Sequence, residues 1–204
     1  MSKKPLIIFE GIEGSGKTYH IKEIRKYLKR KKIAYLSLRE PGGTLNSEKI
    51  RRLILDKNSK FKKNTDLLLY LAARSENIDF LKKNINKKVI LIDRFTDSTI
   101  AYQHYGFGVN LDLIKYINKF LLKGIKPNFT FLNIVNSKNM KLRLQNRKKL
   151  NRYDKFDLKF YNKVQKGFIK LAMKNKKHYK IIDSNKSINE NKKIVIEQIN
   201  NLIR

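Results

Sequence analysis

Residues 11–18 read Gly-Ile-Glu-Gly-Ser-Gly-Lys-Thr and constrain the fold of this chain more than any other stretch. They fit the pattern G-x-x-x-x-G-K-[ST], in which a glycine-rich loop turns its backbone amides toward phosphate groups. The apolar run 6–9 predicts a buried strand before the loop, and residues 21–28 have the spacing of a helix after it. Because strand, loop and helix occur in this order, the segment predicts a phosphate-binding P-loop at a helix N-terminus.

The residue types in the loop match the chemistry of phosphate binding. Lys17 supplies a positive charge for the β- and γ-phosphates, and the Thr18 hydroxyl is a ligand for Mg²⁺. By itself the loop predicts only that a nucleoside triphosphate binds. The alternative is a plain glycine turn with a solvated lysine. The residues predicted to bind the triphosphate are Gly11, Ile12, Glu13, Gly14, Ser15, Gly16, Lys17 and Thr18.

Composition excludes several classes of protein. The 204 residues suit one domain with a substantial core, and the absence of cysteine excludes disulfides and thiolate metal sites. The chain has no run of about 18 apolar residues, so we expect no membrane span. The N-terminus leads straight into the first predicted strand, so we expect no signal peptide and a cytoplasmic location.

The formal net charge of +31 raises the question of a nucleic-acid partner. Lysine is dispersed along the whole chain beside many Asn and Ile residues, a pattern that AT-rich codon usage produces. Since no DNA- or RNA-binding motif is present, we expect no specific nucleic-acid partner, although a basic surface attracts anionic substrates. A nucleotide-dependent nucleic-acid-binding module remains the remote alternative, and it would bind nucleic acid tightly and with strong salt dependence.

Apolar runs alternate with helical patterns along the chain. The predicted strands are 5–10, 34–38, 89–92, 129–135 and 179–182. The predicted helices are 17–30, a short one capped by Ser47 and ending at Leu55, a longer one from Asn64 or Thr65, and 96–104, 111–122, 137–147, 156–174 and 187–203. This alternation predicts a single α/β domain with a parallel sheet covered on both faces.

Four stretches together resemble one known family. They are the P-loop at 9–18, Arg-Glu-Pro-Gly-Gly-Thr at 39–44, Leu-Leu-Tyr-Leu-Ala-Ala-Arg at 68–74, and Asp-Arg-Phe-Thr-Asp-Ser at 93–98 with Ala-Tyr-Gln at 101–103. In this order and spacing they resemble bacterial thymidylate kinase. The resemblance implies a P-loop nucleoside monophosphate kinase-like three-layer α/β fold with a central parallel five-stranded sheet. It also implies transfer of the γ-phosphoryl group of ATP to dTMP, Mg²⁺ as cofactor, and a homodimer.

The acceptor site follows partly from the residues and partly from the resemblance. Asp93 ends a buried strand, where ligands of open α/β sheets bind, and its carboxylate suits Mg²⁺ or its waters. Arg94 has the fork geometry to clamp a monophosphate. The resemblance implies that Tyr70 stacks on thymine and that Glu13 approaches the sugar 3′-hydroxyl. The residues expected to bind dTMP are Glu13, Arg39, Tyr70, Arg74, Arg94, Ser98, Thr99 and Gln103.

Structural roles remain open for several of these residues. Asp93 also suits a helix cap, Arg94 a surface ion pair, Tyr70 a core aromatic position, and Glu13 a solvated loop. Another P-loop nucleoside or nucleoside monophosphate kinase is the alternative among the enzymes. A nucleoside acceptor needs a general base for its 5′-hydroxyl, whereas the arginines of this chain favour an acceptor that carries a phosphate.

The segment at about 143–154 is expected to form a short lid within the single domain 1–204. Gly14 stands where one class of thymidylate kinases has a P-loop arginine, so this chain resembles the class whose lid supplies arginines. Residues 151–154 resemble the family's Asp-Arg-Phe-Glu, with Asn first and Asp last. Arg147 and Arg152 of this segment are therefore expected to be catalytic, together with Lys17 and Asp93. Lys148 and Lys149 are expected to be plain surface charge.

Overall fold

Five short strands form one parallel sheet in the computed structural model, which describes residues 4–147 and 151–204. The strands are β1 (Leu6–Glu10), β2 (Tyr35–Arg39), β3 (Val89–Asp93), β4 (Phe129–Ile134) and β5 (Tyr179–Asp183). Their order across the sheet is β2-β3-β1-β4-β5. The five predicted strands are confirmed, and their ends match to within a residue.

The central position of β1 determines where the P-loop lies. β1 pairs with β3 on one side, where Phe9 is opposite Asp93, and with β4 on the other, where Phe9 is opposite Phe131. Because all pairs are parallel, the carboxyl ends of the strands share one edge of the sheet. The P-loop therefore leaves β1 between the ends of its two neighbours.

Helices connect the strands and cover both faces of the sheet. They are α1 (Lys17–Arg30), α2 (Leu45–Leu55), α3 (Lys63–Asn84), α4 (Thr96–Thr99), α5 (Leu111–Leu122), α6 (Ser137–Gln145), α7 (Leu158–Lys174) and α8 (Ile188–Ile203). No helix in the described part of the chain has both the length and the apolar character that crossing a bilayer requires. Each predicted helix has a counterpart at nearly the predicted bounds except the one predicted over 96–104, of which only Thr96–Thr99 is α-helical.

Alternation along β1 directs its side chains into two separate cores. Phe9 packs on one face with Ile24 of α1 and Ile199 of α8. Ile8 points to the opposite face and packs in a cluster that includes Leu81 of α3. The sheet is thus the middle of three layers, as the resemblance implies.

The beginning of α2 differs from the prediction. The sequence predicts Ser47 as the N-cap, but the helix begins at Leu45, after an extended Thr44. The Ser47 hydroxyl donates instead to the Ala73 carbonyl at 2.8 Å and accepts from the Gly42 amide at 3.0 Å. The prediction is wrong because these partners lie in other segments, one of them far away in the sequence, and local capping rules do not reveal them.

The segment after β3 also departs from a regular helix. The α-helical turn Thr96–Thr99 continues as a π-helix, Ile100–Gly106, where the sequence predicts one helix over 96–104. Helical spacing does not distinguish this wider turn from an α-helical one. π-Helical segments are rare and frequently occur at functional sites.

Burial of His20 on α1 makes part of the stability depend on pH. The side chain is 3% exposed, and among the described residues its Nδ1 has no hydrogen-bond partner. Burial lowers its pKa from 6.5 to about 4, so the unfolded chain binds this proton first as the pH falls. Between pH 6.5 and about 4, this difference removes up to about 1.4 kcal/mol of unfolding free energy per pH unit. In urea denaturation, His20→Leu should therefore flatten the decline in stability between pH 6.5 and 4.5.

The matched control is His178→Leu, because His178 is exposed. We expect its slope against pH to stay close to that of the wild type. A His20→Leu slope that equals the wild-type slope would show that His20 is protonated in the folded state as readily as in the unfolded one.

Candidate active site

A cavity of about 700 Å³ lies at the P-loop and the carboxyl ends of the strands. Its wall is formed by the P-loop, the ends of β2 and β3, α2 and α3, and by described residues of the segment that the sequence predicts as a lid. The lining residues include Glu13, Lys17, Thr18, Arg39, Arg51, Tyr70, Asp93, Arg94, Arg143, Arg147 and Tyr153.

The backbone of the P-loop depends on glycine where it crosses β4. Gly11 has φ +137°, and a Cβ atom there would lie 2.2 Å from the Asn133 carbonyl oxygen. Only glycine avoids both the strained conformation and the clash. Gly16, with φ +88°, then turns the chain into α1, whose first residue is Lys17. Gly16 has no side chain that could cap the helix, and the helix N-terminus suits an anion.

Lys17 is buried inside the loop. Its ammonium donates to the carbonyls of Gly11 at 2.8 Å and Ile12 at 2.9 Å, and to Ser15 Oγ at 3.3 Å. Burial, and next the nearby charge of Arg94, lower its pKa to about 8. A phosphate in the cavity would bring the negative charge that favours the protonated ammonium.

The guanidinium of Arg94 joins the P-loop to the segment after β3. It donates to the Gly11 carbonyl at 2.9 Å, to Glu13 Oε1 at 2.9 Å and to Ser98 Oγ at 3.3 Å. It also lies 5.2 Å from the centre of the Tyr102 ring. Arg94 itself has φ +67°, a left-handed conformation that is uncommon for residues with a side chain. These contacts hold a positive charge at the cavity wall.

Glu13 is the acidic residue beside that charge. It accepts hydrogen bonds from Arg94 and from the Tyr102 hydroxyl. Burial acts to raise its pKa, but the charges of Arg94 and Lys17 outweigh burial, and the pKa is lowered. The carboxylate is therefore ionised and able to accept a hydrogen bond from a ligand hydroxyl.

Asp93 and Thr18 fit a Mg²⁺ ion that arrives with a nucleotide. Both line the cavity, and Asp93 Oδ1 is buried without a hydrogen-bond partner among the described residues. The described residues contain no cluster of three or more His, Cys, Asp or Glu side chains that would enclose an ion. Mg²⁺ at phosphate sites is commonly held by one or two carboxylates plus phosphate oxygens and water, and this sparse set of ligands is compatible with that arrangement.

Glu10, to which the sequence analysis assigns no role, binds the segment that follows Asp93 and Arg94. Its carboxylate accepts from the amides of Phe95 at 2.8 Å and Ser98 at 3.2 Å, and from the Ser98 hydroxyl at 2.5 Å. Burial, and then the charge of Asp97, raise its pKa to about 7. Its position directly before the P-loop, at the end of β1, is the signal that would have identified it.

The structure brings together only part of the predicted site. The predicted residues that line the cavity are Glu13, Gly14, Ser15, Gly16, Lys17, Thr18, Arg39, Tyr70, Asp93, Arg94 and Arg147. Those outside the lining are Gly11, Ile12, Arg74, Ser98, Thr99, Gln103 and Arg152. Lys148 and Lys149 lie outside the described residues.

Arg74 is an example of a predicted site residue that does not line the cavity. Its side chain is 2% exposed, and it donates to Glu40 Oε2 at 2.8 Å and to Asn118 Oδ1 at 2.6 Å. It thus lies in a buried ion pair behind the cavity wall. Burial raises the pKa of Glu40 although the charge of Arg74 opposes that shift.

The two predicted lid arginines also have different surroundings. Arg147 lines the cavity and donates to Asp154 Oδ1 at 2.8 Å. Arg152 pairs with Asp66 of α3 and lies outside the cavity lining. Of the two, Arg147 is the one placed to reach a ligand in the cavity.

Three further arginines, to which the sequence analysis assigns no role, also line the cavity: Arg25, Arg51 and Arg143. Arg51 of α2 donates to the Pro41 carbonyl at 2.6 Å. Arg143 of α6 donates to the Gly14 carbonyl at 2.9 Å and to the Ser184 carbonyl at 2.7 Å. Both residues lie on helices that follow strand ends, which is the available signal, but their direction toward the cavity follows from the packing.

Comparisons with known proteins agree on one family. The family model described as thymidylate kinase matches residues 9–195. The thymidylate kinase of Sulfurihydrogenibium sp. (strain YO3AOP1) is 37% identical over 196 residues, 95% of each chain. That of Clostridium novyi (strain NT) is 37% identical over 212 aligned positions, covering all of both chains. The crystal structure of thymidylate kinase from Ehrlichia chaffeensis superposes with a TM-score of 0.78 at 33% identity, covering 96% of this chain and 98% of that one.

The burial of Arg74 with Glu40 predicts a large effect on stability. Glu40→Ala leaves the guanidinium in the interior without its carboxylate, and it should cost about 3–5 kcal/mol of unfolding free energy in urea denaturation. The control is Arg39→Ala, which breaks an ion pair with Glu48 whose side chains are 54% and 35% exposed. Such pairs contribute about 1 kcal/mol or less. Equal losses in the two variants would contradict a buried, structural pair.

Proposed function

The chain belongs to the thymidylate kinase family, and from that premise we propose that it transfers the γ-phosphoryl group of ATP to dTMP, giving dTDP and ADP. One observation carries the proposal. The phosphate-binding loop and the predicted acceptor residues Arg39, Tyr70 and Arg94 line the same cavity. A donor and an acceptor held together there would react without a covalent enzyme intermediate, so catalysis would consist of positioning and charge stabilisation.

The P-loop is the proposed ATP site. The amides that follow Gly14 face the donor phosphates, and the ammonium of Lys17 exchanges loop carbonyls for phosphate oxygens. Asp93 and Thr18 would hold Mg²⁺, which supplies charge neutralisation between the donor phosphates when it is bound. The unpartnered oxygen of Asp93 supports this assignment.

The acceptor side of the cavity fits a deoxynucleoside monophosphate. Arg94 and Arg39 offer guanidinium groups for its phosphate, and the ionised Glu13 accepts from a sugar hydroxyl. The Tyr70 ring offers a face for the base. For Arg74, Ser98, Thr99 and Gln103 we propose a supporting role behind this wall, because their side chains do not line the cavity.

A lid arginine would stabilise the transferring group. Charge accumulates on the phosphoryl oxygens as the bond to ADP stretches, and the P-loop has Gly14 rather than an arginine. Arg147 lines the cavity and is the proposed catalytic arginine. Arg152 is the less favoured candidate, since its guanidinium pairs with Asp66.

The family match favours this reaction over another P-loop kinase and over a nucleic-acid-binding module. We also propose a homodimer. Its support is the exposure of apolar side chains on α3 and α5, two helices that contact each other: Leu68, Leu113, Tyr116 and Phe120. Cytoplasmic location remains an expectation from the sequence.

The first functional prediction concerns the acceptor. With ATP and Mg²⁺, the purified protein should phosphorylate dTMP far faster than AMP, CMP or GMP, because the family match and the acceptor residues Arg39, Tyr70 and Arg94 at the cavity wall favour dTMP as the acceptor. A coupled assay of ADP release across the panel measures this. Comparable rates with AMP would rule out the thymidylate assignment and leave a less selective kinase.

The second functional prediction concerns Arg147. Arg147→Ala should lower kcat by about 10²-fold or more and leave the KM for dTMP within a few-fold, since a lid arginine contributes mainly in the transition state. Arg52→Ala, an exposed arginine on α2 outside the cavity, is the matched control and should keep normal kcat. If Arg147→Ala also keeps kcat within a few-fold, this arginine does not assist transfer.

A further inference from the structure

Asp66, in the first turn of α3, joins three separate segments. Its side chain is 4% exposed and accepts hydrogen bonds from Arg152, from the Tyr153 hydroxyl at 2.5 Å and from Gln103 Nε2 at 3.4 Å. Arg152 and Tyr153 belong to the lid, and Gln103 belongs to the π-helical segment. One carboxylate on α3 therefore contacts the lid and the segment behind the acceptor wall.

The lid side of this contact leads directly to Arg147. The Tyr153 amide donates to Asn151 Oδ1 at 2.8 Å, and the Asn151 amide donates to Asp154 Oδ2 at 2.8 Å. The other oxygen of Asp154 holds the Arg147 guanidinium at 2.8 Å. These reciprocal bonds make one compact turn, Arg152–Lys155 with its cap. If this turn is held in place, Asp154, which binds the Arg147 guanidinium, is held in place as well.

The acceptor side of the same contact is aromatic. The ring of Tyr153 meets those of Tyr70 and Tyr102 edge to face, with centroids 6.1 and 5.7 Å apart. Tyr70 follows Asp66 by four residues, so both lie on one face of α3. The side-chain oxygen of Gln103, Oε1, is buried and, within residues 4–147 and 151–204, unpartnered. Tyr153 therefore belongs both to the contact that anchors the lid and to the aromatic side chains around Tyr70, the residue proposed to face the base.

The positive charge around Asp66 is the reason why a carboxylate is needed at this position. Lys60, Lys63 and Lys155 line the small pocket around Asp66 and Arg152, so the lid meets α3 through basic surfaces. Without an acid, this contact would bring like charges together. Asp66 supplies the opposite charge in a buried position, where an ion pair is screened little by solvent.

We propose that Asp66 is a positioning residue that holds the lid turn against the acceptor helix and so places Arg147 at the transferring phosphoryl group. The inference rests on the proposed function. It goes beyond that function because the position of Arg147 then depends on a carboxylate, that of Asp66, which does not line the cavity. Arg152 acts with Asp66 as the lid's half of the anchor.

The decisive experiment is a double-mutant cycle on kcat. Asp66→Asn should lower kcat by at least ~10-fold and up to ~10²-fold, the loss expected for a misplaced catalytic group, while the KM for ATP stays within a few-fold. In an Arg147→Ala background the same substitution should cost less than ~2-fold, because the group it positions is gone. Asp112→Asn, an exposed aspartate on α5, is the matched control and should leave kcat unchanged.

Equal losses from Asp66→Asn in both backgrounds would overturn the proposal, since a general structural role would not depend on Arg147. Arg152→Gln covers the case in which Asp66→Asn does not fold, because it removes the anchor from the lid side. It should show the same dependence on Arg147.

Hydrogen exchange separates this proposal from the proposed function. In the protein without nucleotide, Arg152→Gln should speed amide exchange of Tyr153 and Asp154 by at least ~10-fold, since their bonds to Asn151 depend on the anchored turn. Unchanged exchange would refute the anchor even in an active enzyme. Faster exchange in a protein that does not phosphorylate dTMP would support the anchor and refute the proposed function instead.

Discussion

The contact of the Arg94 guanidinium with Gly11, Glu13 and Ser98 is the interaction on which the site depends. The P-loop leaves β1 and Arg94 leaves β3, and the parallel pairing of these strands makes the two segments neighbours. Arg94 then fixes their separation. It also pairs with Glu13 at the cavity wall and keeps a positive charge beside the P-loop.

Positive charge exceeds negative charge at the cavity, and this excess suits a reaction between phosphates. The basic residues in the lining are Lys17, Arg25, Arg39, Arg51, Arg94, Arg143 and Arg147, and the acidic ones are Glu13, Glu40, Glu48 and Asp93. The lowered pKa of Lys17 reflects the cost of burying an ammonium near another cation. Bound phosphates would offset that cost, because their negative charge favours the protonated ammonium. The charged residues of the cavity are therefore more favourable with an anion bound than without one.

Acidic residues are scarce in this chain, 17 against 48 basic residues, and several of them are buried. Glu10 accepts from the amides at the start of α4, Glu40 pairs with Arg74, and Asp66 of α3 pairs with Arg152. Each one organises groups from different segments of the chain. The dispersed lysines lie mostly at the surface, which agrees with a compositional origin of the net charge, while the buried acids determine how the basic segments pack.

The sequence by itself determined the order of the strands and helices, because the spacing of apolar residues and the glycines of residues 11–18 are local signals. It also placed the P-loop, Asp93 and Arg94 together, since motif residues at strand ends meet at one edge of a parallel sheet. Tyr70 and Arg147 are assigned to the same site through the family resemblance, and both line the cavity. Tertiary structure alone decided the direction of side chains whose partners are distant in sequence. Arg74 turns to Glu40, Arg152 turns to Asp66, and Ser47 bonds α3 rather than capping α2. The physical reason is that a buried polar group takes whichever partner the packing brings within reach, and no local pattern encodes that partner.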